Sequence, residues 1–108
     1  MVTEIDSETL KSRLSHGEDI LLVDVRTPSE VAQGALPNAI HMPMAVLPVR
    51  AAELPRDRPI VIYCRSGARS YHCCQFLAQQ GVENALNLRG GIVAWARHGY
   101  ELGPLGGT

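Results

Sequence analysis

Cys64 is followed by Arg65-Ser66-Gly67-Ala68-Arg69-Ser70 and preceded by Ile60-Val61-Ile62-Tyr63. The preceding run is apolar and mostly β-branched, so it reads as a buried strand. Ala68 to Gln80, closed by Gly81, reads as a helix. The thiol therefore falls at the carboxyl end of a strand and beside a helix N-terminus, the edge where ligands bind in open α/β sheets. The small residues of the loop let consecutive backbone N–H groups curl toward one point, an anion-binding nest at the positive end of the helix dipole. Cysteine pKa values fall to about 3.5–7.5 at helix N-termini and beside cations. Arg65 and Arg69 supply two cations, and no acidic residue occurs between positions 58 and 82. A thiolate there needs no separate general base, and the surrounding donors would let it attack an electrophile that is itself anionic. Oxyanions of phosphorus or arsenic and sulfane-sulfur compounds such as thiosulfate both meet that description.

The other residues able to do chemistry have plainer readings. Ser70, Cys73, Cys74 and Leu77 share one helical face, so Cys73 and Cys74 are expected to pack on the sheet. Asp24 and Arg26, just past a buried strand, read as a structural ion pair or loop anchor. Glu30 is accounted for by the capping box Thr27-Pro28-Ser29-Glu30. His16, His41, His72 and His98 lack metal-ligand spacing, no cysteines pair as CxxC, and no metal or other cofactor is expected. Trp95 and Ile92 read as core, and Gly90-Gly91 as a turn.

The elements that position Cys64 alternate between short apolar runs and helix-like segments closed by Gly or Pro, the pattern of an α/β domain. Ser7 or Asp6 caps a first helix carrying Leu10 and Leu14 and ending at Gly17. Ile20 to Val25 is apolar on both faces, as befits a strand covered on both sides. A short helix follows from the capping box to Gly34, then a weak strand at Ala39 to Met42. A helix is expected from about Met44 to Leu54, frayed or kinked by Pro48. Asn84 to Leu88 reads as the last strand and Ile92 to Arg97 as the last helix.

With 108 residues, 45% of them hydrophobic, the chain suits one domain over residues 1–102 with a flexible tail over 103–108. Three cysteines do not make a disulfide framework and fit a reducing compartment. The formal charge of −1, from ten basic and eleven acidic residues without a basic stripe, argues against nucleic acid or an acidic membrane as partner. Met1 to Glu8 does not read as a secretory signal, and Ile20 to Val23 is too short to cross a bilayer, so a cytoplasmic location is expected.

Four segments, in order, resemble the single-domain rhodaneses, a sulfurtransferase family. They are Asp24-Val25-Arg26 with Glu30, Gly34-Ala35-Leu36-Pro37-Asn38-Ala39-Ile40-His41-Met42-Pro43, the Cys64 to Ser70 loop, and Asn87-Leu88-Arg89-Gly90-Gly91-Ile92-Val93-Ala94-Trp95. Ala35 departs from the family, which commonly has His there. The resemblance implies a central, mostly parallel five-stranded sheet flanked by helices on both faces. The loop is also shorter than the one cysteine phosphatases use to wrap a phosphoryl group. The implied chemistry is a two-step exchange in which Cys64 takes the outer sulfur of a donor such as thiosulfate and passes it from a persulfide to cyanide or a thiol. Arg65 and Arg69 would attract the donor anion, Ser66 and Ser70 would donate hydroxyl hydrogen bonds, and the backbone through Gly67 and Ala68 would form the cradle. Two alternatives remain: a persulfide carrier or interaction module served by a protein donor, and a cysteine-dependent phosphatase or arsenate reductase.

Overall fold

Ile60 to Tyr63 forms the middle strand of the sheet, with every residue buried and Ile60, Val61, Ile62 and Tyr63 each at 0% exposure. In a computed structural model, which describes residues 2–106, the chain runs β1 (Thr3–Ile5), α1 (Ser7–Ser15), β2 (Leu21–Asp24), α2 (Pro28–Val31) and β3 (Ile40–His41). It continues through α3 (Leu47–Arg50), a 3₁₀ turn (Ala51–Glu53), β4 (Ile60–Tyr63), α4 (Ala68–Gln79), β5 (Ala85–Leu88) and α5 (Gly91–Arg97). The five strands lie in the order β1-β5-β4-β2-β3 and every neighbouring pair is parallel. This is the expected α/β architecture.

Alternation along the strands divides the core in two. Ile60, Ile62 and Cys64 join Val23, Leu54, Cys73, Cys74 and Leu77 on the α3 and α4 side. Val61 and Tyr63 join Leu10, Leu22, Leu36, Leu88 and Trp95 on the α1 and α5 side. A strand buried on both faces contributes roughly 1.5–3 kcal/mol per large apolar side chain and holds its end in a fixed place.

Helix starts follow their caps. The Thr9 N–H donates to Asp6 Oδ1 at 2.7 Å, which makes Asp6 the cap of α1. Thr27 and Glu30 form the reciprocal capping box at α2. Two expectations are revised, and one strand is added. The helix expected from Met44 to Leu54 is divided into a turn, α3 and the 3₁₀ segment. The Met44 N–H is committed to the Val25 carbonyl at 3.0 Å, and Pro48 has no N–H to contribute. Strand β1 is not evident from the sequence, because its three residues include an exposed Thr3 and the acidic Glu4. The tail expected to be flexible is tied down over 103–106: Gly103 and Ala35 exchange N–H···O bonds of 2.8 and 2.9 Å, and the Gly106 N–H donates to the Ala39 carbonyl at 2.9 Å. Leu105 packs on the α1 and α5 side, while residues 107–108 of that tail lie outside the described residues. No helix among the described residues is long and apolar enough to cross a membrane.

Candidate active site

Cys64 follows β4 directly, and the chain then turns into α4 through Gly67, whose φ of 103° is a conformation side chains rarely adopt. That turn aims donors at the sulfur. The Gly67 N–H lies 3.1 Å and the Ser70 hydroxyl 3.4 Å from Cys64 Sγ. Burial pushes the thiol up, but hydrogen bonds from the Ser70 hydroxyl and the N–H groups of Ser70, Gly67 and Ser66 outweigh it. The net result is a thiol below its ordinary value.

The other wall of the loop is α5. Its Ile92 and Val93 N–H groups donate to the carbonyls of Cys64 and Arg65 at 3.0 and 3.1 Å. Gly91 allows this approach, since a Cβ there would lie 2.5 Å from the Cys64 carbonyl oxygen and collide with that of Arg65 as well. Gly90-Gly91 is therefore more than a turn: it lets a helix start clamp the carbonyl side of the nest.

The two loop arginines differ. Arg65 is exposed, lines a pocket of about 220 Å³ with Arg26, Glu30 and Val93, and has no ion pair among the described residues. Arg69 instead grips both oxygens of Glu30, each at 2.8 Å. That bidentate bond, with the Thr27 N–H, lowers the Glu30 carboxyl to about 2. Arg69, expected as one of two cations beside the thiol, thus has a carboxylate partner of its own. The region from 58 to 82 is free of acids, but an acid from α2 folds across to meet it. Glu30 does more than cap its own helix.

Asp24 and Arg26 form a buried pair at 0% and 5% exposure, with Arg26 Nη2 2.7 Å from Asp24 Oδ2 and also 2.7 Å from the Gly34 carbonyl. Arg26 also lies 5.8 Å from the Tyr63 ring centre. These bonds tie the end of β2 to the segment after α2. Ser66 is exposed and Ala68 opens α4. Burial lifts the Cys73 thiol to about 11 and the Cys74 thiol to about 12. Two residues that sequence reasoning missed complete the surroundings. Ser70 Oγ is 2.5 Å from Asn87 Oδ1, and Asn87 Nδ2 donates to Glu4 Oε2 at 2.9 Å and to the Gly67 carbonyl at 3.2 Å. The available signal was a polar side chain set among the apolar residues of a short strand, because such a group, once buried, requires partners.

The profile of the rhodanese-like domain matches residues 6–98. The chain belongs to the rhodanese-like family. A protein named sulfurtransferase from Allochromatium vinosum is 63% identical over 102 residues, covering 94% of this chain and 95% of that one. The thiosulfate sulfurtransferase GlpE of Coxiella burnetii is 31% identical over 80 residues, covering 74% of this chain and 75% of its own. Among solved structures, a rhodanese-like domain protein from Staphylococcus aureus superposes with a TM-score of 0.85 at 33% identity, covering 95% and 98% of the two chains. The rhodanese-like assignment thus rests on the whole domain, and its relatives point to sulfur transfer in general.

Proposed function

We propose that this protein is a sulfurtransferase that carries sulfane sulfur as a persulfide on Cys64, with thiosulfate or a related persulfide as donor and a thiol or cyanide as acceptor. The observation that carries this reading is the pair of donors on Cys64 Sγ, the Gly67 N–H at 3.1 Å and the Ser70 hydroxyl at 3.4 Å. They stabilise the Cys64 thiolate before it takes sulfur and again as it leaves in the second step. In the first step the Cys64 thiolate bonds to the outer sulfur of thiosulfate, the sulfur–sulfur bond of the donor breaks, and sulfite leaves with the electron pair. In the second, the acceptor thiolate or cyanide attacks the terminal sulfur and Cys64 leaves as thiolate. Arg65 attracts the donor, and the backbone from Arg65 to Arg69 is the cradle.

The Arg69–Glu30 bond favours one donor class over another. With Arg69 neutralised, the mouth has less pull on a dianion such as thiosulfate and suits a less charged persulfide, on a small thiol or on a protein. A persulfide carrier fed by a protein is the limiting form of that reading. Incubation with thiosulfate, or with an organic persulfide, followed by intact-mass measurement tests both. The expected result is a gain of one sulfur atom that Cys64→Ser abolishes. Hydrolysis of an aryl phosphate with no persulfide formed from either donor would overturn sulfur transfer in favour of phosphatase chemistry.

A further inference from the structure

Asn87 is 1% exposed and sits opposite Glu4 in the register between β5 and β1. Its hydrogen bonds fix which end of its amide faces Ser70. Nδ2 lies 2.9 Å from Glu4 Oε2 and 3.2 Å from the Gly67 carbonyl. Both partners are acceptors, so the NH₂ end belongs there and Oδ1 must face Ser70. While Cys64 keeps its proton, the Ser70 hydroxyl, 2.5 Å from Oδ1, therefore gives its own to Asn87. The same oxygen is 3.4 Å from Cys64 Sγ. One hydroxyl proton cannot serve both acceptors.

The two protonation states of Cys64 consequently need different arrangements. With the neutral thiol, a directed chain runs from the Cys64 S–H to Ser70 Oγ and from the Ser70 O–H to Asn87 Oδ1. Once the thiol has lost its proton to water, Ser70 can reach the sulfur anion only by turning its O–H away from Asn87. We infer that Asn87, oriented by Glu4, is a positioning residue that sets how much of the Ser70 hydrogen bond the sulfur anion at Cys64 receives. Its bond to the Gly67 carbonyl also holds the residue whose N–H is the closer donor to the sulfur. The inference rests on the reading of Cys64 as the reactive thiol.

The test uses the full chain and no sulfur donor, so it is independent of whether persulfide forms. In the double variant Glu4→Gln with Asn87→Asp, the Gln amide can donate to the new carboxylate. The pair keeps its total charge, but the charge moves to within one hydroxyl of the sulfur. The rate of Cys64 alkylation by iodoacetamide, followed against pH and mapped by peptide mass, should have its midpoint raised by about one unit relative to the native chain. Adding Ser70→Ala to both chains should shrink that difference, leaving only the part that the carboxylate exerts through space and through the lost Gly67 bond. A double-variant profile that superimposes on the native one overturns the proposal, and so does a difference that survives Ser70→Ala intact. A second measurement needs no folded variant. In the isotope-labelled native protein, the Asn87 side-chain amide signals should move with the same midpoint as Cys64 alkylation, and signals that stay fixed through that midpoint overturn it.

Discussion

The end of β4 and the middle of α4 both place cysteines in the same apolar cluster, with Cys64, Cys73 and Cys74 at 1%, 4% and 3% exposure. Equal burial gives opposite thiols. Burial raises all three, and at Cys73 and Cys74 it wins, to about 11 and about 12. At Cys64 the hydrogen bonds of Ser70, Gly67 and Ser66 reverse it. The difference lies in which N–H groups are unspoken for. In mid-helix they are committed to carbonyls one turn back, whereas at a helix start they are free to face a sulfur. The arginines do not separate the two regions, since Arg69 is bonded to Glu30 and its charge acts to lower Cys73 as well.

The largest expected effect is on labelling. In the native protein near neutral pH, Cys64 should be alkylated at least about a hundredfold faster than Cys73 or Cys74, because those two are raised to about 11 and about 12 while Cys64 is lowered from the ordinary thiol range. Peptide mapping after brief iodoacetamide treatment reads this ratio, and equal labelling would break the comparison. Stability should follow the same contrast. A thiol raised on folding keeps its proton while the unfolded chain has lost it, so stability falls as pH climbs from about 9 toward the values of Cys73 and Cys74 at about 11 and about 12. Each thiol contributes a loss on the order of 1 kcal/mol per pH unit across that window, with Tyr63, also raised by burial, acting in the same direction. Cys64, lowered on folding, works oppositely: its contribution is full above the ordinary thiol range and is lost as pH falls through its own lower value. Denaturant titrations across the alkaline range check the sign, and a flat profile would contradict it.

Next in size is Gly91→Ala. The added methyl meets the Cys64 carbonyl oxygen at 2.5 Å, so the clamp on the nest must open. Overpacking of this kind costs roughly 1–3 kcal/mol. It should also slow Cys64 alkylation below its midpoint while leaving Cys73 and Cys74 protected, which separates loss of the nest from general loosening. A variant of native stability and native Cys64 reactivity would show that α5 does not support the loop.

What the sequence reveals of the site is local. Ile60 to Tyr63, the small loop and the helix behind it are contiguous, so strand period, glycine and helix start can be read together. What it conceals comes from elsewhere in the chain. Glu30 reaches Arg69 across 39 positions, Glu4 reaches Asn87 across 83, and Gly91 lies under the loop only because β5 returns beside β4. β1 is hard to recognise because an edge strand of three residues, Thr3–Ile5, buries only Ile5 and shows little alternation. The resemblance to the rhodaneses supplied the fifth strand of the sheet, which the hydrophobic pattern alone does not indicate.

The smallest effect concerns the cations, and it tests whether they belong in the comparison. Glu30 is held at about 2, below its ordinary 4.5. Its contribution to stability is complete above the ordinary value and is lost as pH falls between the two. With side chains 37% and 27% exposed, the Arg69–Glu30 pair should be worth less than about 1 kcal/mol, and Glu30→Gln should lower stability at neutral pH by no more than that. The same substitution releases Arg69. Turnover with thiosulfate should then rise a few-fold at low salt and return toward the native rate as salt screens the freed charge, with little change for a less charged persulfide. If hydrogen bonds rather than arginines set the thiol, the midpoint of Cys64 alkylation should move by less than about half a unit. A shift as large as that from Ser70→Ala would put the cations back at the centre of the nest. An unchanged preference among donors at low salt would mean that Glu30 restrains α2 and α4 without governing what enters between them.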